Sequence, residues 1–114
     1  MKILIFIVVL YYLYPIVTFV GDSMHPTYKD GEHILSVRVF SRKQMKVGNV
    51  YTYRTSQGTV VVKRLTRIKR TDKGDVYFFE GDNSRVSYDS RNYGYIKFSS
   101  IISKLIVQRD KNNE

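Results

Sequence analysis

A serine, a lysine and one turn-rich loop carry the chemistry open to this chain. Ser23 sits in Gly21-Asp22-Ser23-Met24-His25-Pro26-Thr27, and Lys63 in Val60-Val61-Val62-Lys63-Arg64. A serine hydroxyl becomes a nucleophile when a nearby base takes its proton, a task usually given to histidine. Neither His25 nor His33 has a convincing carboxylate orienter in its own segment. Lysine can serve instead if burial keeps it neutral, because buried lysines titrate several units below about 10.4. In a strand covering Thr59 to Ile68 side chains alternate, so Val61, Lys63 and Leu65 share one apolar face on which the amine would be desolvated. Ser23 as nucleophile and Lys63 as base predict acyl transfer, and so a protease.

The third segment runs from Gly81 to Gly94 and includes Asp82, Asn83, Ser87, Asp89, Ser90 and Arg91. Its hydroxyl, carboxylate and guanidinium groups suit a supporting role. Ser87 could orient a neutral lysine amine, and Asp89 with Arg91 could form a charge-assisted pair that fixes the loop. Cysteine is absent, which removes disulfide and thiolate chemistry. His25 and His33 lack a clustered ligand set, so neither a metal nor a cofactor is expected.

The elements that must position these groups read mostly as strands, because apolar residues alternate with polar ones between turn formers. Strands are predicted over His33 to Phe40, Val50 to Arg54, Thr59 to Ile68 and Val76 to Glu80, with Tyr95 to Val107 closing the sheet. Ser41 to Lys46 reads as a polar loop, Thr55 to Gly58 as a hairpin connection and Thr71 to Asp75 as a turn. Gln108 to Glu114 reads as a fraying polar tail. The predicted fold is a small, mainly β, antiparallel domain, curled into a barrel-like form that protects its edges.

Ile3 to Val20 carries no charge, and roughly 17–25 apolar residues suffice to cross a bilayer as a helix. Residues 1–20 are therefore expected to be a transmembrane anchor, with Pro15 as a possible kink, and 21–114 a β-rich catalytic domain. A cleaved secretory signal is the rival, but the chain contains no alanine and Thr18-Phe19-Val20-Gly21 makes a poor small-x-small site.

A net charge of +9 and a pI near 9.8 suit an anionic partner, either lipid or nucleic acid. No recognised nucleic-acid motif is present, so nucleic acid is not expected as a partner. The basic run at Arg64, Arg67, Lys69 and Arg70 reads as a solvated strand face, with lipid headgroups the next choice.

In this order the three segments resemble the type I signal peptidase family. Gly-Asp-Ser-Met-x-Pro-Thr resembles its nucleophile box, and Gly81-Asp82-Asn83-x-x-Ser87-x-Asp89-Ser90-Arg91-x-x-Gly94 is the most specific of the matches. The resemblance implies a largely β, membrane-bound serine endopeptidase that removes signal peptides from secretory preproteins. It also implies a cytoplasmic amino terminus and an extracytoplasmic catalytic domain on one membrane span. By motif position Ser23 resembles the nucleophile, Lys63 the general base, Ser87 the lysine-orienting serine, and Asp89 with Arg91 the structural ion pair. Asn49 stands where aspartate is common and Ser84 where arginine is usual. Gly21 takes a place that in some members carries a serine assisting the oxyanion, so backbone amides, including that of Ser23, would have to serve. A non-catalytic membrane adaptor and a self-cleaving repressor protease are the alternatives. The adaptor would be expected to lose Ser23 or Lys63, and the repressor to carry a DNA-binding domain.

Overall fold

Pro15 decides where the first element ends. The computed structural model describes residues 2–111. In it helix α1 covers Lys2–Leu13. Proline lacks a backbone N–H, clashes with the carbonyl four residues back and pushes its predecessor out of helical geometry. Beyond it the β-branched run Ile16–Thr18 forms strand β1. The Pro15 carbonyl accepts hydrogen bonds from both the amide and the hydroxyl of Ser36, at 2.9 and 2.6 Å.

This arrangement corrects the expected membrane helix over Ile3 to Val20. No helix among the described residues is long and apolar enough to cross a membrane. At about 1.5 Å per residue, the 12 residues of α1 reach about 18 Å, against a hydrocarbon core of about 30 Å. Val17 and Phe19 are buried in the β domain, and Phe19 stacks on Tyr28 with ring centroids 4.7 Å apart. None of the α1 side chains is buried. The helix is held at its end by Arg38, which donates to the Tyr12 carbonyl at 2.6 Å and lies 4.0 Å from the Tyr12 ring centroid.

The remaining strands are β2 His33–Arg38, β3 Val50–Arg54, β4 Val60–Lys69, β5 Val76–Glu80, β6 Ile96–Lys97 and β7 Ile101–Leu105. They form one antiparallel sheet in the order β1-β2-β7-β3-β4-β5-β6. The sheet is open rather than barrel-like. Its edge strands, β1 and β6, are three and two residues long, and such short edges offer little for another chain to pair with. The expected closing strand over Tyr95 to Val107 is divided by a 3₁₀ turn at Phe98–Ser100. That turn sends β6 to the outer edge while β7 passes between β2 and β3. The loop after β2 likewise contains a 3₁₀ turn, Arg42–Gln44, closed by a capping box between Ser41 and Gln44.

Two apolar clusters lie on the sheet. One joins Tyr51, Tyr53, Leu65, Tyr77, Phe79 and Ile101; the other joins Val17, Phe19, Met24, Tyr28, Ile34, Val50 and Leu105. The second cluster seats the segment that carries Ser23, through Met24 and Tyr28.

Two expectations about polar residues are corrected at this point. Arg64 is not on a solvated face. It is 6% exposed and grips Asp82 through two bonds of 2.8 Å, while also donating to the carbonyls of Gly48 and Arg109. The start of the polar tail is also fixed. The Gln108 carboxamide pairs with both backbone groups of Val50, and Arg109 binds the Thr27 carbonyl and Glu32. Residues 112–114 of that tail lie outside the described residues.

Arg109 lowers the Glu32 pKa to about 2 from 4.5, chiefly by hydrogen bonding to its carboxylate. A carboxyl group whose pKa is lowered on folding adds stability above its unfolded value, and that stability is lost as pH falls through the folded value. The stabilising effect of Glu32 over Glu32→Gln should therefore be present at pH 6 and shrink between about pH 4.5 and 2. Melting curves of the two proteins across that range measure it. The effect should be small, because both partners are partly open to solvent.

Candidate active site

Sheet register brings the three chemical segments to one place. In β4, Lys63 is paired with the buried Tyr51 of β3, and Arg64 with Glu80 of β5. Continuing the second ladder by one residue puts Lys63 level with Gly81, the first residue of the turn-rich loop. That loop also binds the Ser23 segment, since the Asn83 amide donates to the Ser23 carbonyl at 2.8 Å.

Gly81 is where the segments meet most closely. A Cβ on this residue would lie 2.1 Å from Ser87 Oγ and 2.7 Å from the Ser23 carbonyl oxygen. Only a residue without a side chain lets the Ser87 hydroxyl and the Ser23 backbone approach in this way. Gly81→Ala is expected to force these segments apart, lowering Tm and reducing any Ser23-dependent turnover. Thermal melts and serine-probe labelling of the variant test both effects.

Behind the loop lies a buried carboxylate. Asp89 is fully buried and accepts hydrogen bonds from Ser87 Oγ at 2.5 Å, the Gly81 amide at 2.8 Å, and the Arg91 amide and guanidinium. It also caps the short helix α2, Ser90–Tyr93, with Asn92 completing a capping box. Burial by itself raises the Asp89 pKa. The Arg91 guanidinium, the Ser87 hydroxyl and the two amides outweigh that, and hold the carboxyl well below the usual carboxylate range. Arg91 in turn reaches the Gly81 carbonyl at 3.2 Å and Glu80 at 3.5 Å.

Ser23 and Lys63 line one cleft of about 630 Å³. Gly21, Asp22, Val61, Val86, Tyr88 and Tyr93 line it with them, and Arg54 and Lys97 add two positive charges to its lining. Ser87, Asp89 and Arg91 do not line the cleft. They bind one another and the backbone of Gly81.

Lys63 is 5% exposed and takes part in none of the ion pairs among the described residues. Desolvation lowers its pKa; the negative charge of Asp89 opposes this and the positive charge of Arg91 adds to it. A buried lysine held below its ordinary 10.5 loses its proton more readily than an exposed one, and the neutral amine is the form that can take a proton from a hydroxyl.

The sequence reading missed several structural partners. Tyr53 and Tyr93 join hydroxyls at 2.5 Å beneath the cleft, and burial raises the pKa of both. Tyr53 sits in a strand pattern that marked it as core, with nothing local to reveal its partner 40 residues on. Asn83 and Gly81 lie in the motif itself, and the fixed spacing of that motif was the signal for them. Among the described residues no group of three or more His, Asp or Glu side chains is arranged to hold a metal ion. No protein-family model and no curated protein matches the chain.

Proposed function

We propose that this chain is a membrane-associated serine endopeptidase with a Ser23–Lys63 dyad, which removes signal peptides from secretory preproteins. The observation that carries the reading is a buried lysine with a lowered pKa on the same cleft as a serine in a tightly held turn. The three-segment resemblance to type I signal peptidases supplies the substrate class.

The steps follow from these residues. Neutral Lys63 removes the Ser23 hydroxyl proton as the oxygen attacks the scissile carbonyl. The tetrahedral intermediate collapses to an ester on Ser23, and the departing amine takes the proton from the Lys63 ammonium. Neutral Lys63 then takes a proton from water as the water oxygen attacks the ester; the second intermediate breaks its bond to the Ser23 oxygen, which takes the proton back from the Lys63 ammonium, freeing the acid and restoring Ser23 and neutral Lys63. Gly21 has no side chain to assist the oxyanion, so backbone N–H groups stabilise it.

Delivery to lipid-inserted substrates rests on α1. Its side chains from Ile3 to Leu10 are all exposed and apolar. Burying such a surface is worth about 0.8 kcal/mol per CH₂ group. The helix enters one side of a bilayer and holds the catalytic domain at the extracytoplasmic membrane surface. Anionic headgroups add attraction for a domain of this net positive charge.

Incubation of the detergent-solubilised protein with a model preprotein, followed by mass mapping of the products, tests the reading. Cleavage directly after the signal segment, absent in Ser23→Ala, is the expected result. An intact preprotein with the wild-type chain would overturn the substrate assignment.

A further inference from the structure

We propose that Asn83 is a positioning residue for the oxyanion-binding amide of Ser23. This inference rests on the Ser23–Lys63 reading above. Asn83 holds the nucleophile's backbone on both sides. Its side-chain amide donates to the Asp22 carbonyl at 3.1 Å, and its own backbone N–H donates to the Ser23 carbonyl at 2.8 Å. The two peptide groups that flank the nucleophile are thus fixed by one residue.

The first of these contacts decides where the Ser23 amide points. The Asp22–Ser23 peptide is trans, since His25–Pro26 is the sole cis bond among the described residues. In a trans peptide the C=O and N–H are directed oppositely. The Asp22 carbonyl is held by Asn83 Nδ2 and by the His25 amide, at 3.0 Å for the latter. The Ser23 N–H is therefore turned away from both donors, and it has no acceptor among the described residues. The Gly21 amide is already committed to Asp30 Oδ1 at 2.7 Å.

An unpartnered N–H on the residue that carries the nucleophilic oxygen is a donor suited to the developing oxyanion. In this chain the demand on its aim is high, because Gly21 supplies no hydroxyl as a second donor. Without the Asn83 carboxamide, the Asp22–Ser23 peptide is restrained on that side by the His25 amide alone. The plane can then rock, and the amide spends less time on line with the oxyanion. The cost falls on the transition state and spares ground-state binding.

The test compares full-length wild type, Asn83→Ala and Asn83→Asp. Three quantities are read: kcat and KM on a model preprotein, affinity for a peptide boronate whose serine adduct carries an anionic oxygen, and affinity for the matching uncleavable peptide. Asn83→Ala should lower kcat about tenfold to a hundredfold, part of the 10²–10³ that loss of a whole oxyanion donor costs. KM and uncleavable-peptide affinity should stay within about twofold, and boronate affinity should fall with kcat. Asn83→Asp keeps the side chain's outline but puts an acceptor against the Asp22 carbonyl, so it should lose at least as much.

Unchanged boronate affinity would overturn the proposal, as would an equal fall for the uncleavable peptide, or failure of both variants to fold. The boronate comparison does not need the preprotein to be cleaved. A wrong substrate assignment and a wrong role for Asn83 therefore give different results.

Discussion

Lys63→Met should abolish proteolysis and at the same time make the protein more stable at neutral pH. Turnover should fall by at least about 10⁴-fold, as it does when a member of a catalytic unit is removed, and Ser23→Ala should fall as far. The gain in stability follows from the lowered Lys63 pKa. Between the folded value and the ordinary 10.5, the unfolded chain binds a proton that the native state does not, so stability rises with pH across that window. Below the folded value the full cost of burying the amine stands. Methionine fills a similar volume without a charge and removes that cost. Each kcal/mol recovered raises Tm by about 4–8 °C for a domain of this size. The advantage of Lys63→Met should be greatest at the low end of the pH range and close as pH approaches 10.5. Melting curves from pH 6 to 10 measure it. An equal Tm difference at all pH values would show a lysine that is already solvated. The same pKa sets the pH–rate profile of the wild type, whose rising limb should have its midpoint below 10.5.

Asp89→Ala should be the most destabilising single change near the site. It removes the acceptor of five hydrogen bonds, leaves the Arg91 guanidinium without its closest counter-ion, and uncaps α2. Breaking a buried pair by deleting one partner costs about 3–5 kcal/mol. Arg91 keeps some contact with water and with Glu80, which places this case near the lower end, about 3 kcal/mol. A Tm drop above about 10 °C follows. Asp89→Asn retains acceptor oxygen but not charge, and should fall between the two. Calorimetry of the three proteins at pH 7 gives the ranking; a Tm for Asp89→Ala within a few degrees of wild type would show that the loop is held by other groups.

The Ser87 hydroxyl is committed to Asp89. It donates to the buried carboxylate, and Asp89 also accepts from the amide of Gly81, the residue whose missing side chain leaves room for Ser87 and the Ser23 carbonyl. Ser87→Ala thus removes one of the hydrogen bonds to Asp89 rather than a reacting group. Its effect on turnover should be smaller than that of either dyad substitution.

What the sequence determined by itself was local. Alternation of side chains is a property of neighbouring residues, so β3 and β5 were legible with their observed limits, and β2 and β4 to within two residues at either end. The spacing within Gly81 to Gly94 marked a loop rich in hydrogen-bonding groups, because loop chemistry is written in consecutive residues. The apolar run from Ile3 to Val20 was misread for the same reason. Hydropathy is blind to the long-range pairing of Ile16–Thr18 with His33–Leu35, which takes the end of that run into the sheet.

Tertiary structure alone decided the rest. Arg64 looked like a surface charge until the fold brought Asp82, Gly48 and Arg109 around it, and charge is buried only where such partners converge. The burial of Lys63, the steric need for glycine at position 81 and the two-sided hold of Asn83 on Ser23 depend on contacts between segments far apart in the chain, up to 61 residues for Asn83 and Asp22. No pattern within any one segment encodes such contacts; they exist only once the sheet has set its register.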